Sequence, residues 1–395
     1  MITDKMKNLV KNGSAIRAMF EEGKIMREKL GDENVFDFSL GNPSIVPPAT
    51  VKQAIYDILE NEPEMFVHGY MNNSGYEDVR DNTAAYINSQ HGTSFTRDNI
   101  IMTVGAASAL NIALKVTINP GDEVLLIAPY FGEYNNYISN YDGVPVVVSP
   151  DYERFSINFD ELEKKITPKT KLMIVNTPNN PTGAVYSEED LIRLAAILDK
   201  KQQEFGTTIY LISDEPYREI AFGGLKVPYL TKFYKNTFVA YSYSKSLSLP
   251  GERIGYLVVS SEIEDFEETI GALNVANRIL GYVNAPSLMQ RVAGRCVGQT
   301  ADLSVYEENK DILYKALTEY GYEIVEPKGT FYMFPKCFIE DDKQFCKDAK
   351  DYGLVIVPGS NFACPGYFRI AFCVDKDMVL RSLDAFKKLA DRYKK

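Results

Sequence analysis

The sequence predicts an α/β fold in which helices cover both faces of a mostly parallel sheet, joined to a smaller α+β domain. The main observation is a series of short apolar runs between residues 99 and 260 that alternate with helical patterns. The runs are 100–104, 123–128, 144–148, 171–175, 208–212, 237–241 and 254–259. They are continuously apolar rather than alternating, which is typical of strands covered on both faces. Strand–helix alternation of this kind predicts a mostly parallel sheet.

One of the intervening helices has clear terminal signals. The segment Ser187-Glu-Glu-Asp190 resembles a capping box with aspartate in place of the usual glutamate or glutamine. Gly206 stands where the helical pattern ends, as expected of a C-terminal glycine. These signals predict a helix between the strand at 171–175 and the strand at 208–212.

The two ends of the chain predict a second domain. A helical stretch covers residues 14–30, but the first 45 residues lack a core of their own. The C-terminal third has an amphipathic stretch near 301–320, apolar runs at 323–325, 330–334, 354–357 and 368–372, and a final amphipathic helix over 376–393. We therefore expect a large domain over 46–290, and a small α+β domain made of residues 1–45 and 291–395.

Composition excludes several classes of function. The 395 residues are 45% hydrophobic and carry a net charge of −11, which argues against nucleic acid or an anionic membrane as a partner. The five cysteines are scattered without C-x-x-C spacing, which predicts reduced thiols, and two histidines are too few for a histidine-rich metal centre. No apolar stretch resembles a signal peptide or a membrane span, so the predicted location is the cytoplasm.

Polar residues follow four of the predicted strands, at the edge where open parallel sheets bind ligands. Small residues at a helix start expose backbone N–H groups to a phosphate, and a desolvated lysine becomes an amine nucleophile. The residues are Gly105, Ala106 and Ala107 after the first run; Asn180 after the fourth; Asp214 and Tyr217 after the fifth; and Ser242, Lys245 and Arg253 after the sixth. Each alone is also compatible with an ordinary turn, a helix cap or a surface cation; their joint occurrence at one edge favours a site.

One cofactor requires this whole set. Pyridoxal 5′-phosphate needs a lysine for a Schiff base, an acidic partner for its pyridinium nitrogen and a phosphate cup. It also gains from a hydrogen-bond donor to its phenolic oxygen and an aromatic plane against its ring.

From about Ser14 to the C-terminus, the chain closely resembles the class I/II aminotransferases, the aspartate aminotransferase-like group of fold-type I enzymes. The segments Asn180-Pro-Thr-Gly, Asp214-x-x-Tyr and Ser242-x-x-Lys followed by Arg253 carry the resemblance. It implies that Lys245 is the Schiff-base lysine and general base, Asp214 the pyridinium partner, and Tyr217 and Asn180 the ligands of the ring oxygen. It assigns the phosphate to Gly105, Ala106, Ala107, Ser242 and Arg253.

The resemblance also implies contacts outside these segments. Phe131 corresponds to the aromatic residue that stacks on the ring, and Tyr70 to the tyrosine that reaches the phosphate of the neighbouring subunit, which implies a homodimer with shared active sites. Arg369 corresponds to the arginine that binds the substrate α-carboxylate, with Gly41 beside it. The implied reaction moves an amino group from an L-amino acid to a 2-oxo acid such as 2-oxoglutarate.

The sequence leaves the substrate side chain open. Some relatives place a lysine third in the glycine turn to bind a distal carboxylate, but this chain has Ala107 there. Arg278 and Arg17 are candidate ligands for such a carboxylate, as in an aspartate substrate, and ordinary surface cations otherwise. Tyr282 and Phe362 are candidates to line an apolar or aromatic pocket instead.

The sequence is compatible with three alternative functions. The same lysine and aspartate serve a carbon–sulfur β-lyase on the same fold. Ser242-Tyr-Ser-Lys245 also matches the Ser-x-x-Lys motif of a serine hydrolase, although Ser213-Asp-Glu and Lys328-Gly-Thr330 fail its companion motifs. A non-catalytic regulator that binds the cofactor would need a DNA-binding segment, for which the N-terminal residues are too few.

Overall fold

The structure is a computed structural model that describes residues 2–11 and 15–394. Within these residues the helices are α1 (Asp4–Lys11), α2 (Ala15–Leu30), α3 (Ala49–Asn61), α4 (Glu64–His68), α5 (Glu77–His91), α6 (Ala106–Thr117), α7 (Glu133–Asn140), α8 (Phe159–Lys165), α9 (Glu188–Phe205), α10 (Tyr243–Ser246), α11 (Phe266–Ile279), α12 (Ser287–Arg295), α13 (Ser304–Glu319), α14 (Asp342–Ala349) and α15 (Lys376–Tyr393). The strands are β1 (Phe36–Asp37), β2 (Ile100–Thr103), β3 (Glu123–Ile127), β4 (Val144–Val148), β5 (Pro150–Asp151), β6 (Ser156–Ile157), β7 (Thr170–Asn176), β8 (Tyr210–Asp214), β9 (Thr237–Ser242), β10 (Gly255–Val259), β11 (Tyr332–Met333), β12 (Leu354–Val355), β13 (Val357–Pro358) and β14 (Phe368–Ala371).

The predicted α/β fold is confirmed. A seven-stranded sheet has the order β2-β10-β9-β8-β7-β3-β4, and β10 is antiparallel to both of its neighbours while the remaining pairs are parallel. Each strand corresponds to one of the seven apolar runs. Because β10 runs the other way, the residues before it meet the carboxyl ends of β2, β7, β8 and β9 at a single edge.

Both faces of the sheet are buried, which explains why its strands lack an alternating pattern. Ile101 of β2 belongs to a core that includes Leu110 and Ala113 of α6. Its neighbour Met102 points to the other face, into a core with Ile58 of α3 and Val292 of α12. A strand covered by helices on both sides requires apolar residues at every position.

The predicted capping interactions at the two ends of helix α9 are present. Ser187 Oγ accepts a hydrogen bond from Asp190 N at 3.1 Å, and Asp190 Oδ2 accepts one from Ser187 N at 3.1 Å. Gly206 ends the helix in the left-handed conformation with φ 63°. Asp190 therefore completes the capping box despite its shorter side chain.

The C-terminal third forms a three-stranded sheet, β11-β14-β13, packed with α13 and α15 into one core. The N-terminal part reaches this region: β1 pairs with β12, and Arg27 of α2 forms an ion pair with Asp37 at 2.9 Å. The segment at 323–325 forms no strand: Glu323 O accepts a hydrogen bond from Lys336 N at 2.9 Å outside any ladder. The domain limits stay a prediction; the limit at 290/291 falls inside α12, which packs on α3 and α5.

Cys296, Cys337, Cys346, Cys364 and Cys373 are buried free thiols. Among the described residues no group of side chains is arranged to hold a metal ion, and no helix has the length and apolar character needed to span a bilayer.

Candidate active site

A cavity of about 290 Å³ lies at the carboxyl edge of the large sheet. It is lined by Leu40, Gly41, Ala106, Ala107, Leu110, Phe131, Tyr137, Asn176, Asn180, Asp214, Pro216, Tyr217, Ser242, Ser244, Lys245, Pro250, Arg253, Tyr332 and Arg369. The sheet topology accounts for this convergence, because segments distant in sequence end their strands at the same edge.

Lys245 lies in the short helix α10, directly after β9. Ser242 caps this turn by accepting a hydrogen bond from Ser244 N at 3.2 Å. The Lys245 ammonium donates to Gly41 O at 2.7 Å and lies 5.3 Å from the centre of the Phe331 ring. Burial lowers the pKa of Lys245 to about 8, and the nearby cations Arg369 and Arg253 act in the same direction. A substantial neutral fraction near pH 8 makes this amine a usable nucleophile and base.

Asp214 ends β8 with one carboxylate oxygen paired and the other unpaired. Its Oδ2 accepts a hydrogen bond of 2.5 Å from Tyr134, whereas Oδ1 is buried and has no hydrogen-bond partner among the described residues. Asn176, on the neighbouring strand β7, donates to the Asp214 backbone carbonyl at 2.8 Å and holds it in place. Burial raises the pKa of Asp214 to about 7, although the Tyr134 hydrogen bond opposes this shift. A cationic donor at Oδ1 would lower that pKa again.

Tyr217 and Asn180 bring two further polar groups to the cavity. Tyr217 follows Asp214 by three residues on one turn, and its hydroxyl lies 3.2 Å from the hydroxyl of Tyr332. The backbone of Asn180 is held by a bond of 2.6 Å from its N–H to Asn176 Oδ1. Its side-chain oxygen accepts a hydrogen bond from Arg369 at 3.1 Å, which leaves the amide donors for a ligand.

Arg369, on β14, is a buried cation without an anion. It is 2% exposed and forms no ion pair with any described residue; its Nη2 donates to Ser39 O at 2.6 Å, and its Nε has no partner. Its guanidinium lies 4.4 Å from the Tyr332 ring centre and 4.8 Å from that of Phe362. A buried guanidinium with a free donor is suited to bind a carboxylate.

Gly105 and Arg253 form the opposite end of the cavity. Gly105 has φ 79°, a conformation that strains any other residue, and a Cβ there would lie 2.9 Å from Arg253 Nη2 and require the guanidinium to shift. Helix α6 begins at Ala106, which presents the N–H groups of its first turn together with the helix dipole. The Arg253 guanidinium donates to two backbone carbonyls, of Pro250 and Val104, and to no described carboxylate. This end is suited to an anion such as a phosphate.

Not every predicted site residue lines this cavity. Gly105 borders it through its contact with Arg253, whereas Tyr70 is 93% exposed and lines a separate surface pocket with Met65 and Phe66. Arg278 is exposed on α11 and does not line the cavity of its own chain. The side chain of Arg17 lies outside the described residues.

The two predicted pocket-lining aromatics also lie away from the cavity surface. Tyr282 is half-buried against the core near α6 and α7, and Phe362 is buried beneath Arg369. Neither is part of the lining.

Sequence reasoning missed Tyr134 and Tyr332. Tyr134 lies three residues after Phe131, one helical turn away, and meets its ring edge-on at 5.7 Å. Tyr332 belongs to the apolar run at 330–334, whose pattern indicates a buried segment and no functional residue. The spacing to Phe131 could have indicated Tyr134; no local signal marks Tyr332, since its partners come from distant segments.

The model of the family described as aminotransferase class I and II matches residues 33–386. The chain belongs to this family. Its enzyme class is therefore that of a transferase, and the Ser-x-x-Lys hydrolase alternative does not hold.

Named relatives cover nearly the whole chain. It is 30% identical to a probable N-acetyl-LL-diaminopimelate aminotransferase of Bacillus subtilis (strain 168), over 89% of this chain and 88% of that protein. It is 28% identical to a probable aspartate/prephenate aminotransferase of Aquifex aeolicus, over 90% and 91% of the two chains. Among solved structures, an amino transferase from Eubacterium rectale shares 45% identity over 100% of both chains with a TM-score of 0.97. Thermus thermophilus aspartate aminotransferase with maleate shares 25% identity over 95% and 97%, with a TM-score of 0.85.

Proposed function

We propose that this aminotransferase uses pyridoxal 5′-phosphate, held in the cavity described above. The observation that carries the proposal is the unpartnered buried Oδ1 of Asp214 in the same cavity as a desolvated amine, Lys245. An unpaired buried carboxylate oxygen calls for a cationic donor, and a protonated ring nitrogen is such a donor. The anion-binding end at Gly105 and Arg253 meets the requirement of the phosphate.

Each predicted residue then has a place around the cofactor. Lys245 would supply the amine for covalent attachment, and Asp214 would accept the ring N–H. The ring oxygen would receive hydrogen bonds from Asn180 and Tyr217, and Phe131 would cover the ring. The phosphate would be held by Gly105, Ala106, Ala107, Ser242, Arg253 and Tyr70 of a second subunit.

The cofactor supplies an aldehyde and a ring that accepts electron density from the substrate α-carbon. Once neutral, Lys245 would act as the general base that accepts a proton from that carbon. A base is most effective when its pKa lies near the working pH. Arg369 would bind the α-carboxylate and thereby place the α-carbon beside Lys245, with Gly41 and Asn180 completing the substrate contacts. Asp214, fixed by Tyr134, would keep the ring nitrogen protonated.

The amino donor is proposed to be aspartate or an aromatic amino acid, with 2-oxoglutarate as a 2-oxo-acid acceptor. Relatives named for aspartate/prephenate and for aromatic amino acids support both classes. Ala107 brings no cation to the cavity, and Arg278 reaches a cavity only if it belongs to a second subunit.

We propose a homodimer with shared sites in the cytoplasm. Tyr70 extends from an exposed apolar surface with Met65 (90% exposed) and Phe66 (53% exposed). Such a patch is typical of an interface, and it carries Tyr70 away from its own cavity.

The test begins with the absorption spectrum of the purified protein reconstituted with the cofactor. We expect a visible band that Lys245→Ala abolishes, and amino transfer from aspartate or an aromatic donor to 2-oxoglutarate in the wild-type protein. A protein that cannot be reconstituted would contradict the proposal. Release of pyruvate and ammonia in place of steady amino transfer would indicate the β-lyase.

A further inference from the structure

A second cavity lies behind the turn that carries Asp214 and Tyr217. Its volume, about 290 Å³, equals that of the active-site cavity. It lies between α5, the turn after β8, the loop at 225–229 and strands β9 and β10. Its walls include five aromatic rings, those of Tyr86, His91, Tyr229, Tyr241 and Tyr256.

The turn divides its side chains between the two cavities. Asp214 and Tyr217, three residues apart, line the active site, whereas Glu215, Arg218 and Glu219 line the second cavity. Backbone bonds from Arg218 N to Glu215 O (3.4 Å) and from Ile220 N to Tyr217 O (2.9 Å) give this segment a helix-like turn. No step of amino transfer uses the side chains on the second face.

The ion pair of Arg218 and Glu215 in this cavity already has protein partners for the guanidinium. Arg218 Nε donates to Glu215, and its Nη1 and Nη2 donate to the carbonyls of Val227 (2.9 Å) and Pro228 (3.1 Å). Lys226 is exposed at the rim. His91 stacks on Tyr229 with ring centres 4.3 Å apart, and burial together with Arg218 and Lys232 lowers its pKa to about 4. His91 is therefore neutral at pH 7 and adds no positive charge.

Two oxygen atoms of the lining residues have no hydrogen-bond partner within the described part of the chain. Glu219 Oε1 accepts a hydrogen bond from Tyr241 at 2.8 Å, but Glu219 Oε2 is buried and unpaired. The hydroxyl of Tyr229, a residue 4% exposed, also has no partner. A buried carboxylate oxygen without a donor is costly, and burial raises the pKa of Glu219 as a consequence.

We propose that this cavity binds a small organic cation bearing N–H donors, an ammonium or guanidinium group, between Glu219 and the surrounding tyrosine rings. The N–H groups would satisfy Glu219 Oε2, and the positive charge would ionise that carboxyl. Tyrosine rings attract cations, as the Arg218 guanidinium 4.9 Å from the Tyr229 ring centre shows within this cavity, and the attraction increases when the cation is desolvated. A neutral molecule of equal size with N–H donors would hydrogen-bond to Glu219 Oε2 but would gain neither the ion pair nor the attraction of the rings.

The test is a calorimetric titration of the cofactor-loaded protein with methylguanidinium, a planar cation that does not add to an aldehyde at neutral pH. N-methylurea serves as its neutral isostere. We expect saturable binding of methylguanidinium and an affinity for N-methylurea that is lower by at least about tenfold.

Two variants locate the site. Glu219→Gln keeps the shape of the side chain and removes its charge. The affinity for methylguanidinium should therefore fall by at least about tenfold. Glu153→Gln, at an exposed glutamate in a distant surface turn, should bind as the wild type does. Equal affinity in Glu219→Gln and wild type, equal affinity for N-methylurea, or no saturable binding would overturn the proposal. The comparison of methylguanidinium with N-methylurea uses the wild-type protein, so it tests the proposal even if Glu219→Gln folds poorly.

Discussion

The burial of Asp214 is unfavourable to the cofactor-free chain. Its Oδ1 has no donor, so the folded state favours the protonated carboxyl and raises the pKa from an ordinary 3.8 to about 7. A carboxyl with a raised folded pKa binds more protons when folded, so its contribution to stability is lost as pH rises from about 4 through 7. The same desolvation prepares it for a cationic ring nitrogen.

Asp214→Asn should therefore stabilise the cofactor-free protein while weakening cofactor binding. Above pH 7 we expect the free energy of unfolding to increase by on the order of 2–3 kcal/mol, and the gain to shrink toward pH 4.5. Denaturant unfolding at several pH values measures this gain in the free energy of unfolding. Asp160→Asn, at an exposed aspartate, is the control. Parallel pH profiles for wild type and Asp214→Asn would contradict this interpretation.

Arg369→Gln tests the carboxylate site. The buried guanidinium has no described anion, so we expect its loss to reduce kcat/KM for amino-acid donors by about 10²–10⁴-fold, the range for removing one partner of a buried charge pair. An amine donor that lacks a carboxylate should react equally slowly with both proteins. An unchanged KM and kcat for amino acids would exclude Arg369 as the carboxylate ligand.

At the scale of elements, helix ends follow local rules that are independent of the site. Gly206 ends α9 at φ 63° in open space, so only its backbone conformation requires glycine. Gly271 lies within α11, also in open space, with ordinary helical geometry. These two glycines form a matched pair.

Gly206→Ala should lower the free energy of unfolding by about 1–2 kcal/mol, because a Cβ is strained in the left-handed region. Gly271→Ala should raise it by about 0.5–1 kcal/mol, because alanine favours the helix. Thermal unfolding of both variants at one pH compares them. Shifts of the same sign would show that the conformation at Gly206 is not the cause.

At the scale of the whole molecule, the proposed dimer makes a distinctive prediction. Lys245→Ala removes the amine, and Tyr70→Ala removes a contact that we assign to the other subunit. Refolding the two variants together should recover about a quarter of wild-type activity, since about half of the dimers are mixed and each mixed dimer has one intact site. Each variant refolded alone is the control. No recovery beyond the sum of the separate activities would place Tyr70 in its own subunit's site or outside the mechanism.

Much of the fold and the site follows from local patterns. The seven apolar runs predict the strands of the large sheet, because burial on both faces requires apolar residues at every position. The rule that ligands bind at the carboxyl edge of parallel strands then groups Asn180, Asp214 and Lys245 before any contact is known. The segment Glu323-Ile-Val325 carries too little signal, because two apolar residues do not distinguish a strand from a packed loop.

By itself, therefore, the sequence determined the sheet, the edge at which its ligands bind and the family of the chain. Only the tertiary structure decided that Asp214 Oδ1 lacks a partner while Tyr134 binds Oδ2, and that Arg369 is buried without an anion. It also showed that one face of the turn at 214–219 opens into a second cavity. The physical reason is that partners, burial and pKa depend on atoms far apart in the chain, whose approach no local pattern records.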